Sequence, residues 1–291
     1  MNNMYFSRGV RFMLISGICF SLMNVLVKYL TNIPATEIIV FRSLISFVLS
    51  ALILYRKKVS VWGNNKKLLI GRGLSGAIAL TIYFYTLQRI PLATAVTLQF
   101  LAPVFTAILG IFIVKEKLNP WQFLFFVISF AGILIIKGFD ERISTELVVL
   151  GVLSAFFAGL AYNIVRKLNT SEHPLVIVFY FPLVTLPLVS VYSAFNWVTP
   201  QGIEWLLLLG VGILTQIAQY YMTRAYQEES ISKVAGLKYL GIIYGLGFGY
   251  LIFDETFNFY TYIGMAVVLV GVILNVWYKT WIDKKKLATQ N

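Results

Sequence analysis

The 291 residues include one cysteine, Cys19, and one histidine, His173. A disulfide framework needs paired cysteines, and a Cys/His metal centre needs clustered ligands, so both are excluded. Charge is scarce too: 12% of residues are charged and 59% apolar. A soluble domain carries about 25% charged residues, so the surface to cover such a domain is missing. Eight prolines do not make a low-complexity chain, and 16% aromatic residues are too many for a disordered one. Enzyme chemistry lacks its parts. There is no HExxH-like pair, Cys19 has no base near it in sequence, and paired intramembrane aspartates are absent. No cofactor is implied.

Long hydrophobic runs are what the sequence does have. A helix crossing a hydrocarbon core of ~30 Å needs about 20 apolar residues. Ten runs qualify, each ended by charge, Pro, Asn or Gly. The first five run from about Arg11 to Leu30, Thr36 to Leu54, Leu68 to Leu87, Leu92 to Val114 and Pro120 to Ile136. The second five run from about Leu147 to Leu168, Leu175 to Phe195, Glu204 to Tyr226, Ile231 to Phe253 and Phe259 to Tyr278. The first is too long for a signal-peptide core and lacks an A-x-A-like cleavage site, so it is read as a mature helix.

The net charge of +12 follows from topology. Eighteen of the 24 basic residues fall on one side, among them Arg56, Lys57, Lys66, Lys67, Arg72, Arg166, Lys167, Arg224 and Lys284 to Lys286. Lys28, Arg89, Lys137 and Arg142 fall on the other. This bias predicts a multi-pass protein of the cell membrane with both termini cytoplasmic. The charge then meets anionic lipid, not nucleic acid.

Sliding the chain against itself gives one gapless offset of 139 residues. It pairs Asn24 with Asn163, Lys28 with Lys167, Gly73 with Gly212, Gln88 with Gln227, Gly110 with Gly249, Glu116 with Glu255 and Gly132 with Gly271. Each half holds five helices, an odd number, so the halves enter the membrane in opposite orientation. The expected fold is an all-α integral membrane protein of ten transmembrane helices, built as two inverted five-helix repeats. The repeats span residues 8–137 and 147–279, and a basic cytoplasmic tail covers 280–291. Inverted repeats are a transporter architecture, with the substrate site between the halves near the midplane.

Several stretches resemble the EamA-type, ten-helix branch of the drug/metabolite transporter (DMT) superfamily. One runs from Pro91-Leu92-Ala93 through Ala102-Pro103-Val104-Phe105 to Lys115-Glu116-Lys117 and Gly132. Its second-half counterpart runs from Thr223-Arg224-Ala225-Tyr226 through Lys238-Tyr239 and Asp254-Glu255 to Gly264 and Gly271. A third is Glu37 with Phe41-Arg42. The spacing of Arg72-Gly73 and Pro91-Leu92-Ala93 is similar to the solute-carrier 35G-like subset. The resemblance implies a 5+5 fold with a central cavity from the first four helices of each half. It leaves the fifth and tenth helices outside, available for a homodimer.

Candidate substrate-binding residues follow from polarity within the spans. Gln216, Gln219, Tyr220 and Thr223 share one face of the eighth helix, which suits a wet cavity or interhelical hydrogen bonds. Asn24 and Asn163 lie deep enough to be site residues, whereas Lys28 and Lys167 are expected to snorkel to headgroups. Arg42 and Lys238 are read as the only basic residues well inside spans, two unpaired cations that would suit an organic anion. Gln99 is the repeat mate of Lys238. Tyr83, Tyr85, Tyr239 and Tyr244 offer an aromatic wall, against a default of lipid or core packing. Glu116 and Glu255, three residues before the helix caps Asn119 and Asn258, are read as structural residues of tight turns. Gly110 and Gly249 belong to small-residue stripes expected to seat the fourth helix against the ninth. The expected function is secondary transport of a small polar metabolite, an organic anion first and an amino-acid-like amphipathic metabolite second.

Overall fold

The computed structural model describes residues 7–115, 119–168, 171–228 and 235–288. Among the described residues, eleven α-helices make ten passes: α1 (Arg8–Tyr29), α2 (Ala35–Arg56), α3 (Lys66–Leu87), α4 (Leu92–Gln99), α5 (Ala102–Ile113), α6 (Pro120–Phe139), α7 (Thr145–Leu168), α8 (Pro174–Phe195), α9 (Glu204–Glu228), α10 (Leu240–Phe253) and α11 (Phe259–Ala288). Among the described residues there is no strand. Pro120 and Pro174 occupy first-turn positions, where a missing N–H costs nothing. Asn65 and Asn119 accept first-turn N–H groups as caps. All six tryptophans, at 62, 121, 197, 205, 277 and 281, lie near span ends, as interfacial anchors do. Phe112, Phe123, Leu134, Phe195 and Leu251 stay exposed on the outer surface, which lipid covers.

The two halves interlock about a pseudo-two-fold axis. α1 packs on α9 and its mate α7 packs on α3, while α2 meets α8 and α6 meets α11. The close approaches repeat as well. A Cβ on Gly73 would lie 2.6 Å from Val184 Cβ, and one on Gly212 would lie 2.9 Å from Ile45 Cβ. Val184 is the mate of Ile45, so both contacts need glycine for the same reason. Lys115 (φ 56°) and Asp254 (φ 51°) are also mates, and both break the chain in the left-handed region after their helices.

Several expectations are revised. The fourth pass is interrupted at Phe100-Leu101, between α4 and α5. The ninth is not one helix from Ile231: a 3-10 turn, Ala235–Tyr239, precedes α10, and residues 231–234 lie outside the described ones. α11 continues helically to Ala288, because nothing between Tyr278 and Lys286 is a helix breaker, so the basic segment from 280 begins as an extension of that helix. The small-residue seam is divided. Gly241 and Gly245 do face α4, at Phe100 and Ala93. Thr106, however, lies against α7, where a Cβ on Gly159 would sit 2.8 Å from its backbone nitrogen.

Candidate substrate cavity

A cavity of about 480 Å³ opens at the end of the bundle that carries Arg56, Lys57, His173 and Arg224. Its walls come from α2 (Ser50, Ile53), α8 (Leu175, Val178) and α9 (Gln216, Gln219, Tyr220). The polar face read on the eighth pass therefore meets this cavity at Gln216, Gln219 and Tyr220. The lining draws on three helices, fewer than the eight that the resemblance implied.

The same helix faces continue inward. Helical periodicity carries the α2 face from Ser50 to Arg42, the α8 face from Val178 to Phe181, and the α9 face from Gln219 to Thr215, all inward of the lining residues themselves. Arg42 is buried, and its Nε donates to Thr215 Oγ1 at 3.2 Å. Its guanidinium carbon lies 5.6 Å from the Phe181 ring centre. A second guanidinium approaches the same ring: Arg72 lies 4.4 Å from its centre. Arg42 and Arg72 each start roughly 10 Å in from opposite membrane faces, at about 1.5 Å per residue, and their side chains converge on one ring. Gly76 makes this possible, since a Cβ there would lie 2.8 Å from Phe181 Cε2. Neither arginine forms an ion pair among the described residues, and Arg72 Nε and Nη1 are buried without a hydrogen-bond partner.

Arg72 thus corrects the sequence reading, which counted it with the flanking basic residues. Lys66 and Lys67 just before it make it look like part of a headgroup-facing cluster. Lys238, expected as the other unpaired cation, has an interaction of its own and lies on the 3-10 turn, which packs on α1. Its neighbour Tyr239 is buried against Phe100, with ring centres 5.2 Å apart.

The other candidates lie between helices. Asn163 is fully buried and donates to Thr106 O (2.9 Å) and Gly159 O (3.1 Å), tying α7 to α5. Asn24 is buried on α1, with its Oδ1 lacking a hydrogen-bond partner, and Tyr83 stands on α3. Gln99 accepts from Ser154 Oγ at 3.0 Å. None of these lines the cavity described above.

The opposite end of the bundle carries a nearly buried ion pair between the halves. Lys28 does not snorkel to headgroups. Its ammonium pairs with Glu255 at 2.9 Å and donates to Ile90 O at 2.6 Å, with both side chains nearly buried. Glu255 also accepts from the Leu92 N–H at 2.8 Å. Its role therefore reaches past the local turn, to α1 and the start of α4 in the other half. Gly249 leaves the space its carboxylate occupies, since a Cβ there would lie 2.6 Å from Oε2. Asn258 caps the next helix as expected, accepting from the Thr261 N–H. Glu116 lies outside the described residues, and Lys167 has an interaction of its own. Between the halves, Arg142 grips Asp140 at 2.9 and 2.8 Å, and that hydrogen bonding raises the guanidinium pKa.

Two inverted five-helix repeats, a polar-walled cavity between helices of both halves and a buried intramembrane cation inward of it define a membrane transporter. A profile of the EamA-like transporter family matches residues 7–138 and again 146–277. The chain belongs to this family, within the DMT superfamily, and it is a transporter of small molecules, not an enzyme. It is 34% identical to the pseudopaline exporter CntI of Pseudomonas aeruginosa, across 91% of this chain and 94% of that one. It is 29% identical to human solute carrier family 35 member G1, across 94% and 80%. An S-adenosylmethionine uptake transporter of Rickettsia felis is 27% identical, across 97% and 96%. One solved crystal structure superposes with a TM-score of 0.63 at 20% identity, covering 93% of this chain and 97% of that one, which is a likeness of fold.

Proposed function

We propose that the protein moves a small organic anion across the cell membrane by alternating access between its inverted repeats. Buried Arg42 carries this reading. It lies inside a membrane span on the helix face that continues from the cavity wall, and it forms no ion pair among the described residues. An intramembrane cation without a counter-charge favours an anionic ligand over a cationic one. In this reading the cavity opens to the cytoplasm, supported by the basic residues at its mouth and the positive-inside bias. The Lys28–Glu255 pair then closes the far side.

A second reading, export of an amino-acid-like metabolite, is supported by the relative named as a pseudopaline exporter and by the Gln216, Gln219 and Tyr220 wall. α6 and α11 are spent on each other at Gly132 and Gly264, so a homodimer would use their outward faces. Proteoliposome uptake of labelled organic anions, amino acids and organic cations tests the reading. Anion flux that Arg42→Gln removes is the expected result. Flux confined to cations contradicts it.

A further inference from the structure

Resting on the anion reading above, we propose that the site selects ligands bearing two negative charges, through paired recognition by Arg42 and Arg72 about Phe181. One buried guanidinium is matched by a monoanion. Here two guanidiniums approach one ring, at 5.6 and 4.4 Å, and neither has a carboxylate partner among the described residues. A monoanion neutralises one and leaves the other buried as an unpaired cation. A dianion neutralises both.

The donors suit such a ligand. Arg72 Nε and Nη1 are buried and unpartnered, and Arg presents its N–H groups in a planar fork that matches carboxylate or phosphate oxygens. Arg42 commits Nε to Thr215, which fixes the plane of its guanidinium and leaves its terminal nitrogens to the ligand. Phe181 holds both cations by its ring face and covers the carbon skeleton between the two charges. The basic mouth, with Arg56, Lys57, His173 and Arg224, draws an anion into the cavity. A dicarboxylate and a phosphate monoester share this chemistry.

Counterflow in proteoliposomes of the full-length protein tests the proposal. Succinate, glycerol 3-phosphate and butyrate serve as competitors against a labelled anion carried by the wild type. The expected result is that at least one dianion competes ten-fold or more better than butyrate. Whichever competes identifies the source chemistry. Arg72→Gln is expected to bring dianion and butyrate to parity by weakening the dianion alone, and Arg72→Lys to retain part of the preference. Thermal melting confirms that both variants are folded. Equal competition by butyrate and both dianions in the wild type overturns the two-charge proposal while leaving the anion reading intact. So does an equal loss for all three probes in a folded Arg72→Gln. If no anion is carried and only cations or neutral solutes are, the anion reading fails and the proposal with it.

Discussion

Arg42 lies over the ring of Phe181, the residue at its own equivalent position in the second repeat, 139 residues on. The pseudo-two-fold axis therefore brings mates together, as it also does for Phe100 and Tyr239. The scaffold is symmetric there and the chemistry is not. One half contributes a cation and the other an aromatic face, so the proposed anion site is built once from a duplicated frame.

Removing the aromatic face should weaken binding without dismantling the helix pair. A cation–π contact is worth roughly 0.5–2 kcal/mol, so Phe181→Leu is expected to raise the apparent KM for the transported anion by about 2- to 30-fold. Initial-rate uptake measures this. An unchanged KM would mean that the ring only fills space.

The Lys28–Glu255 pair predicts a stability effect at the other end. Removing one partner of a buried pair typically costs about 3–5 kcal/mol, so Glu255→Gln should lower the melting temperature markedly. Lys28→Met combined with Glu255→Gln should recover part of the loss, because no charge is then left buried alone. A double variant whose loss equals or exceeds the sum of the two single losses rules out this pairing. Calorimetry on detergent-purified protein makes the comparison.

The opening of the cavity is testable by labelling. In a Cys19→Ser background, Gln216→Cys should react with a membrane-impermeant maleimide from the cytoplasmic side of inverted vesicles, and the transported anion should slow the reaction. Labelling only from the outside would reverse the proposed orientation.

At the periphery, a Cβ on Gly132 would lie 2.7 Å from Gly264 O and from Val268 N, both backbone atoms. Gly132→Ala is expected to destabilise the α6–α11 pair by about 1–3 kcal/mol, as overpacking does. Flux per folded molecule should stay near wild type. A folded, equally stable variant with lost flux would assign this pair to the transport cycle.

The frame was readable from the chain because its signals are local or periodic. Apolar runs of membrane length mark the passes, and a gapless offset at residues such as Asn24, Gln88 and Glu255 marks the repeat. The polar stripe at Gln216, Gln219 and Tyr220 was readable from helical spacing. Arg72 was not, because its flanking lysines imitate a headgroup cluster; only the packing of α3 on α8 brings it to Phe181. A weak signal existed in Gly73 and Gly76, whose bare backbone makes room for α8. Lys28 was misread for a related reason. Its partner Glu255 belongs to the other half, and no sequence period links the two. The break before α10 leaves no mark in the sequence, since a 3-10 turn keeps the hydropathy of the helix it replaces.

The most direct test of the anion site is calorimetric titration of nanodisc-reconstituted protein, wild type against Arg42→Gln, with organic anions, amino acids and organic cations in turn. The account predicts that anions bind the wild type and that the binding is lost in a folded Arg42→Gln. Cation binding that strengthens when Arg42 is neutralised, with no anion bound by the wild type, would contradict it.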